Sequence, residues 1–125
     1  MYSIALLIPV CGRGKDYKTI DDTPFVRIFY PNFLKTYNPT YNYTIYLGID
    51  NTDSFYVSTM HLFTLLSRDN IIIKPILLES CEHKPAFAWN KLFEVAYKEN
   101  NDYFYQIGDD IKMLTPWVDR FIEIL

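Results

Sequence analysis

The chain has 125 residues, enough for one domain with a hydrophobic core of its own. Half of the residues are hydrophobic, which excludes a disordered chain, and a net charge of -3 without any basic run argues against a nucleic-acid partner. Two cysteines, Cys11 and Cys81, are too few for a disulfide framework, and no apolar run is long enough to cross a membrane. Residues 4–10 (IALLIPV) are continuously apolar, the pattern of a strand covered on both faces. They lack the basic flank and cleavage site of a signal peptide, so the expected compartment is the cytoplasm. Residues 11–22 form a polar loop with two glycines. Thr23-Pro24 reads as an N-cap followed by a first-turn proline. The helix it opens is predicted to reach about Tyr37, with a kink or early stop at Pro31.

Residues 43–49 (YTIYLGI) are predicted as the second strand, ending at Asp50. Asp53 or Ser54 caps a second helix running to about Arg68, with Phe55, Thr59, Leu62, Phe63 and Leu66 at helical spacing. Residues 71–78 form a third strand. Pro85 opens a third helix whose apolar stripe is Trp89, Leu92, Phe93, Ala96 and Tyr97. Residues 103–107 make the fourth strand. Thr115-Pro116 repeats the cap-plus-proline signal before a last short helix ending at Leu125. Strands alternating with helices predict an α/β fold: a mostly parallel sheet of about four strands, flanked by helices and joined by right-handed crossovers.

In such sheets ligands bind beyond the carboxyl ends of the strands. Three polar clusters follow strands here: residues 11–16 (CGRGKD), residues 50–53 (DNTD) and residues 108–110 (GDD), so they are expected to meet at one sheet edge. Asp109 and Asp110 come directly after a buried aromatic strand. Adjacent carboxylates there repel and lose hydration, and Mg²⁺ or Mn²⁺ relieves both while bridging to phosphate oxygens. The plainer alternative is a polar turn with one carboxylate as a cap. In Gly12-Arg13-Gly14, glycine permits close approach to a phosphate and arginine grips it bidentately. The third glycine of a dinucleotide fingerprint is absent, and a flexible turn with a solvated arginine is the alternative. Asp50 can accept from a ribose hydroxyl or a base N–H, or simply serve the turn. Asn90 lies on or beside the apolar stripe of the third helix and needs partners, from the sheet edge or from a ligand, unless it sits on the stripe's border. His61, His83 and the cysteines show no metal-ligand spacing.

Taken in order, these residues resemble the GT-A fold of nucleotide-sugar glycosyltransferases, in the broad group that includes the family-2-like enzymes. The resemblance rests on Leu7-Ile8-Pro9-Val10, Gly48-Ile49-Asp50-Asn51, Ala88-Trp89-Asn90, the DxD-like Gln106-Ile107-Gly108-Asp109-Asp110, and Met113 to Val118 as a short strand and helix. It implies a Rossmann-like, nucleotide-sugar-binding half of such an enzyme, spanning residues 1–125 as one domain. Pro9 and Val10 would line the base pocket with Asp50, and Arg13 and Asn90 would lie near the base or diphosphate. Asp110 would be the direct ligand of Mn²⁺ or Mg²⁺, with Asp109 beside it, facing the sugar or ribose. The donor would be a nucleotide-diphosphate sugar; the acceptor, the catalytic base and any oligomeric state are not implied. Two positions depart from the family pattern. Gly108 replaces an acidic residue, and Trp89 stands where a basic residue is common. The acceptor-binding half is missing from the match, which implies a truncated enzyme or a minimal module. A sugar nucleotidyltransferase and a non-catalytic nucleotide-binding module are the alternatives.

Overall fold

A computed structural model describes residues 1–79 and 84–124. Strand β1 (Ser3–Val10) pairs in parallel with β2 (Asn42–Asp50) on one side and with β4 (Tyr103–Gln106) on the other. β2 pairs in parallel with β3 (Ile71–Leu78), so the sheet runs β3-β2-β1-β4 and is all parallel, as the alternating pattern predicts. The chain steps outward from β1 to β3, then returns across the sheet through α3 (Pro85–Lys98) to place β4 on the far side of β1. At such a reversal the loops leaving neighbouring strands part and open a crevice at the strands' carboxyl ends.

Alternation along β1 sorts its side chains. Ile4, Leu6, Ile8 and Val10 join a large cluster on one face, while Ala5 and Leu7 join a smaller one on the other. The large cluster is aromatic. Phe25 and Phe29 come from a π-helical stretch (Phe25–Phe29), Phe33 from α1 (Tyr30–Thr36), and Tyr56 and Phe63 from α2 (Ser54–Thr64). The predicted helix from Pro24 to about Tyr37 therefore exists, but its first turns are wound wide, and the Tyr30 N–H reaches back five residues to the Phe25 carbonyl. Pro31 explains this: it brings no N–H, and its ring would strike the carbonyl four residues back in a tight helix. The proline is absorbed by widening the helix before it rather than by stopping it.

Among the described residues the opposite face is covered by α3, through Ala88, Leu92 and Ala96. Close approach is possible because β2 carries Gly48 at the contact. A Cβ there would stand 3.0 Å from Cδ1 of both Leu78 and Leu92. The predicted stripe is thus rotated. Leu92 and Ala96 are buried, but Phe93 and Tyr97 are 41% and 66% exposed and reach sideways over β4, where Phe93 meets Phe104 edge-on at 4.8 Å. α2 ends at Thr64, four residues earlier than expected, as the chain turns through Asp69 in the left-handed region to enter β3. The last helix, α4 (Val118–Ile124), starts later than Thr115-Pro116 suggests. No strand forms between Asp110 and α4 among the described residues, contrary to the short strand expected there. No helix of the described residues is long and apolar enough to cross a membrane.

Candidate functional site

The crevice at the carboxyl ends of β1, β2 and β4 is a cavity of about 390 Å³. Its apolar wall includes Pro9 and Val10 from β1, Leu78 from β3 and Ala88 from α3. Its polar wall holds Arg13, Lys15, Asp50, Asp53, Asp109 and Asp110. Of the site residues expected from sequence, Pro9, Val10, Arg13, Asp50, Asp109 and Asp110 therefore line one cavity. Asn90 does not. It is exposed on α3, two residues past Ala88 and hence some 200° around the helix from the residue that faces the cavity.

Each loop is tied down by hydrogen bonds that start from the sequence. Asp53 caps α2, its Oδ1 accepting the Tyr56 N–H at 3.4 Å, and its Oδ2 accepts the Gly12 N–H at 2.7 Å. Asp53 is only 4% exposed, so this carboxylate pins the loop after β1 to the start of α2. Gly12 is required for the fit, since a Cβ would meet Asp53 Oδ1 at 3.2 Å and the Tyr56 ring at 3.3 Å. Asp50 Oδ1 accepts from the Thr52 N–H at 2.9 Å and from the Thr52 hydroxyl at 2.6 Å, and the Arg13 guanidinium donates to Thr52 Oγ1. The loops after β1 and β2 are thus held as one unit.

The turn after β4 is different. Burial pushes the Asp109 carboxyl up to about 6, and the neighbouring charge of Asp110 adds to the rise, with a hydrogen bond from its own backbone N–H and the charge of Lys15 opposing it. Gly108 leaves room for Asp110 to fold back. A Cβ at 108 would stand 3.2 Å from Asp110 Oδ1, so an acidic residue here would crowd the carboxylate it is meant to assist. Trp89 has a structural task in place of a phosphate contact. Its indole N–H donates to the Leu7 carbonyl at 3.0 Å, beside the Ile107 N–H that donates to the same oxygen at 3.1 Å. α3 is thereby fastened where β4 leaves the sheet.

A divalent cation can be tested against this donor set. The described lining has four carboxylates against two cationic side chains, so a diphosphate would meet net repulsion without an added cation. No group of three or more His, Cys, Asp or Glu side chains is placed to hold a metal among the described residues. Two adjacent carboxylates suit a hard cation that completes its shell with ligand phosphates and water, and this is the usual manner of Mg²⁺. The residues fit an ion that arrives with a diphosphate, not a closed protein cage.

Lys15, Tyr17 and Asp53 also line the cavity and were not singled out as site residues from sequence. Lys15 sits in the same polar loop as Arg13 and was legible there. Tyr17 reads as an ordinary aromatic, and Asp53 as a helix cap, which it is. Cys11 is free and exposed at the rim. Cys81 and His83 lie outside the described residues. No family model, curated protein or solved structure matches this chain.

Proposed function

We propose that the chain is the donor-binding unit of a glycosyltransferase, holding a nucleotide-diphosphate sugar with Mn²⁺ or Mg²⁺ and presenting the sugar for transfer to an acceptor. The observation that carries this reading is the meeting of three loops on one cavity. It joins an apolar slot of Pro9, Val10, Leu78 and Ala88 to the carboxylate pair Asp109 and Asp110. A planar base suits the slot. A carboxylate has about four lone-pair sites, so Asp50 can serve Thr52 and also accept from a ribose hydroxyl or base N–H. Arg13 and Lys15 approach the phosphates, and Asp109 and Asp110 take the cation. When bound, the ion supplies electrostatic stabilisation of the diphosphate leaving group. The reading carries with it a cytoplasmic setting, in which Cys11 stays a thiol.

Thermal denaturation with UDP- and GDP-linked sugars, with Mn²⁺ or with chelator, tests the proposal. Ligand at about 100 times its dissociation constant stabilises by about 2.7 kcal/mol, and chelator should abolish the gain. If neither donor shifts the transition, or if Asp110→Asn responds as the parent chain does, the reading fails. A second reading, a nucleotide-binding module without transfer, is favoured by the ligand set, since no group of three or more ligating side chains is placed for a cation among the described residues. Release of free UDP from a UDP-sugar separates the two. Pyrophosphate release from a nucleoside triphosphate and a sugar phosphate would instead mark a sugar nucleotidyltransferase.

A further inference from the structure

Tyr56 is fully buried, yet its hydroxyl has no hydrogen-bond partner among the described residues. A buried hydroxyl left unmatched is costly, and phenylalanine would fill the same space without that cost. The ring is held firmly. It stacks on Phe63 at 5.7 Å and meets Phe55 and Tyr17 edge-on at 5.3 and 6.4 Å. It also runs beneath the loop after β1, since a Cβ on Gly12 would touch its Cδ2 and Cε2 at 3.3 and 3.4 Å.

The hydroxyl end therefore lies under the cavity. Among ionisable neighbours, Asp109 acts on it most strongly, followed by Tyr17, Asp53 and Cys11, and all four line the cavity wall. Asp53 is held where it stands by two bonds, one oxygen taking the Gly12 N–H and the other the Tyr56 N–H, and neither oxygen reaches the Tyr56 hydroxyl. Asp109, whose carboxylate takes its own backbone N–H, is the other carboxylate of that set and stands on the 108–110 turn, outside those two anchors.

We infer that Tyr56 is a positioning residue for Asp109, its hydroxyl donating to the Asp109 carboxylate when a nucleotide diphosphate and its cation draw the 108–110 turn onto the cavity floor. This rests on the reading of the cavity as a nucleotide-diphosphate site. A phenol-to-carboxylate bond is charge-assisted, so it fixes one oxygen of Asp109 and turns the other toward the cation. A bond made only in the bound state contributes its whole free energy to binding and none to the free protein.

Tyr56→Phe tests the inference, measured by thermal denaturation of the free protein and by calorimetric titration with UDP and MnCl₂. The free variant should unfold at the parent temperature or above it, because an unmatched hydroxyl has been removed. Its affinity for UDP with Mn²⁺ should fall about tenfold, the scale of one hydrogen bond to a charged group. A purely structural hydroxyl would give the reverse: a less stable free protein and an unchanged dissociation constant. If the parent chain binds UDP with Mn²⁺ and the variant binds it equally well, this inference alone is overturned. If the parent chain binds neither UDP nor GDP with Mn²⁺, the reading of the cavity fails and the inference falls with it.

Discussion

The two ends of the sheet carry polar clusters built on opposite plans. At the amino-terminal end, Lys74 donates to Glu99 Oε2 at 2.7 Å, and the Tyr46 hydroxyl donates to Glu99 Oε1 at 2.6 Å. Asn101 donates to both the Tyr46 hydroxyl and the Ala96 carbonyl at 2.9 Å. The bonds from Lys74 and Tyr46 hold the Glu99 carboxyl below its usual range. At the carboxyl-terminal end, burial and a like charge push Asp109 the other way. One cluster lowers the energy of its own charges, while the other raises it. A charge held at a cost, in a cavity, is where a ligand can gain most.

Four experiments can break or sharpen this contrast. The largest effect should come from pH. Asp109 has a raised folded value of about 6 against an ordinary 3.8, so it binds its proton more tightly when folded. Its stabilising contribution is full below the unfolded value and is lost as pH rises through about 6. The loss amounts to about 3 kcal/mol for a shift of about two units. Urea denaturation at pH 4 and pH 8 should show that decline in the parent chain and a much flatter profile in Asp109→Asn. Next, Asp110→Asn should forfeit the cation-dependent gain of about 2.7 kcal/mol that the proposed function expects from a diphosphate at about 100 times its dissociation constant, with the free protein no less stable. Gly48→Ala, which forces a methyl group against Leu78 and Leu92, should cost about 2 kcal/mol of stability and is read by the urea midpoint. Smallest of all, Glu99→Gln should cost about 1 kcal/mol and leave nucleotide binding untouched. A loss of binding in that variant would show that the two ends are coupled.

Much of this molecule is legible in its sequence because the strands are long, apolar and closed by polar residues. The third strand falls at residues 71–78 as read, and the second ends at Asp50 as read and gains Asn42 at its start. Helix detail is less legible where tertiary contact decides. The wide turns before Pro31 depend on what the chain does with a proline it cannot expel from an aromatic layer. The buried face of α3 follows Gly48 and the small Ala88 and Ala96, whereas hydrophobicity alone favours Phe93 and Tyr97. The same rotation leaves Asn90 outside the cavity. The polar residues that line it are largely legible because each ends a strand or lies in the loop that follows one, and strand ends converge by topology. Tyr56 is not, because a tyrosine in the first turn of a helix looks like filling until its hydroxyl is found buried with no partner among the described residues.

The bond from Trp89 to Leu7 gives the molecule an optical handle. The chain has two tryptophans, and they lie on opposite faces of the sheet. Trp117 is embedded among Phe33, Tyr105 and Phe121. Trp89 neighbours the cavity-lining Ala88, and its indole proton is committed to the main chain of β1. In Trp117→Phe a single tryptophan remains, seated at the junction of α3, β1 and β4. Its colour and quenching then report directly on whether that junction shifts when the cavity fills.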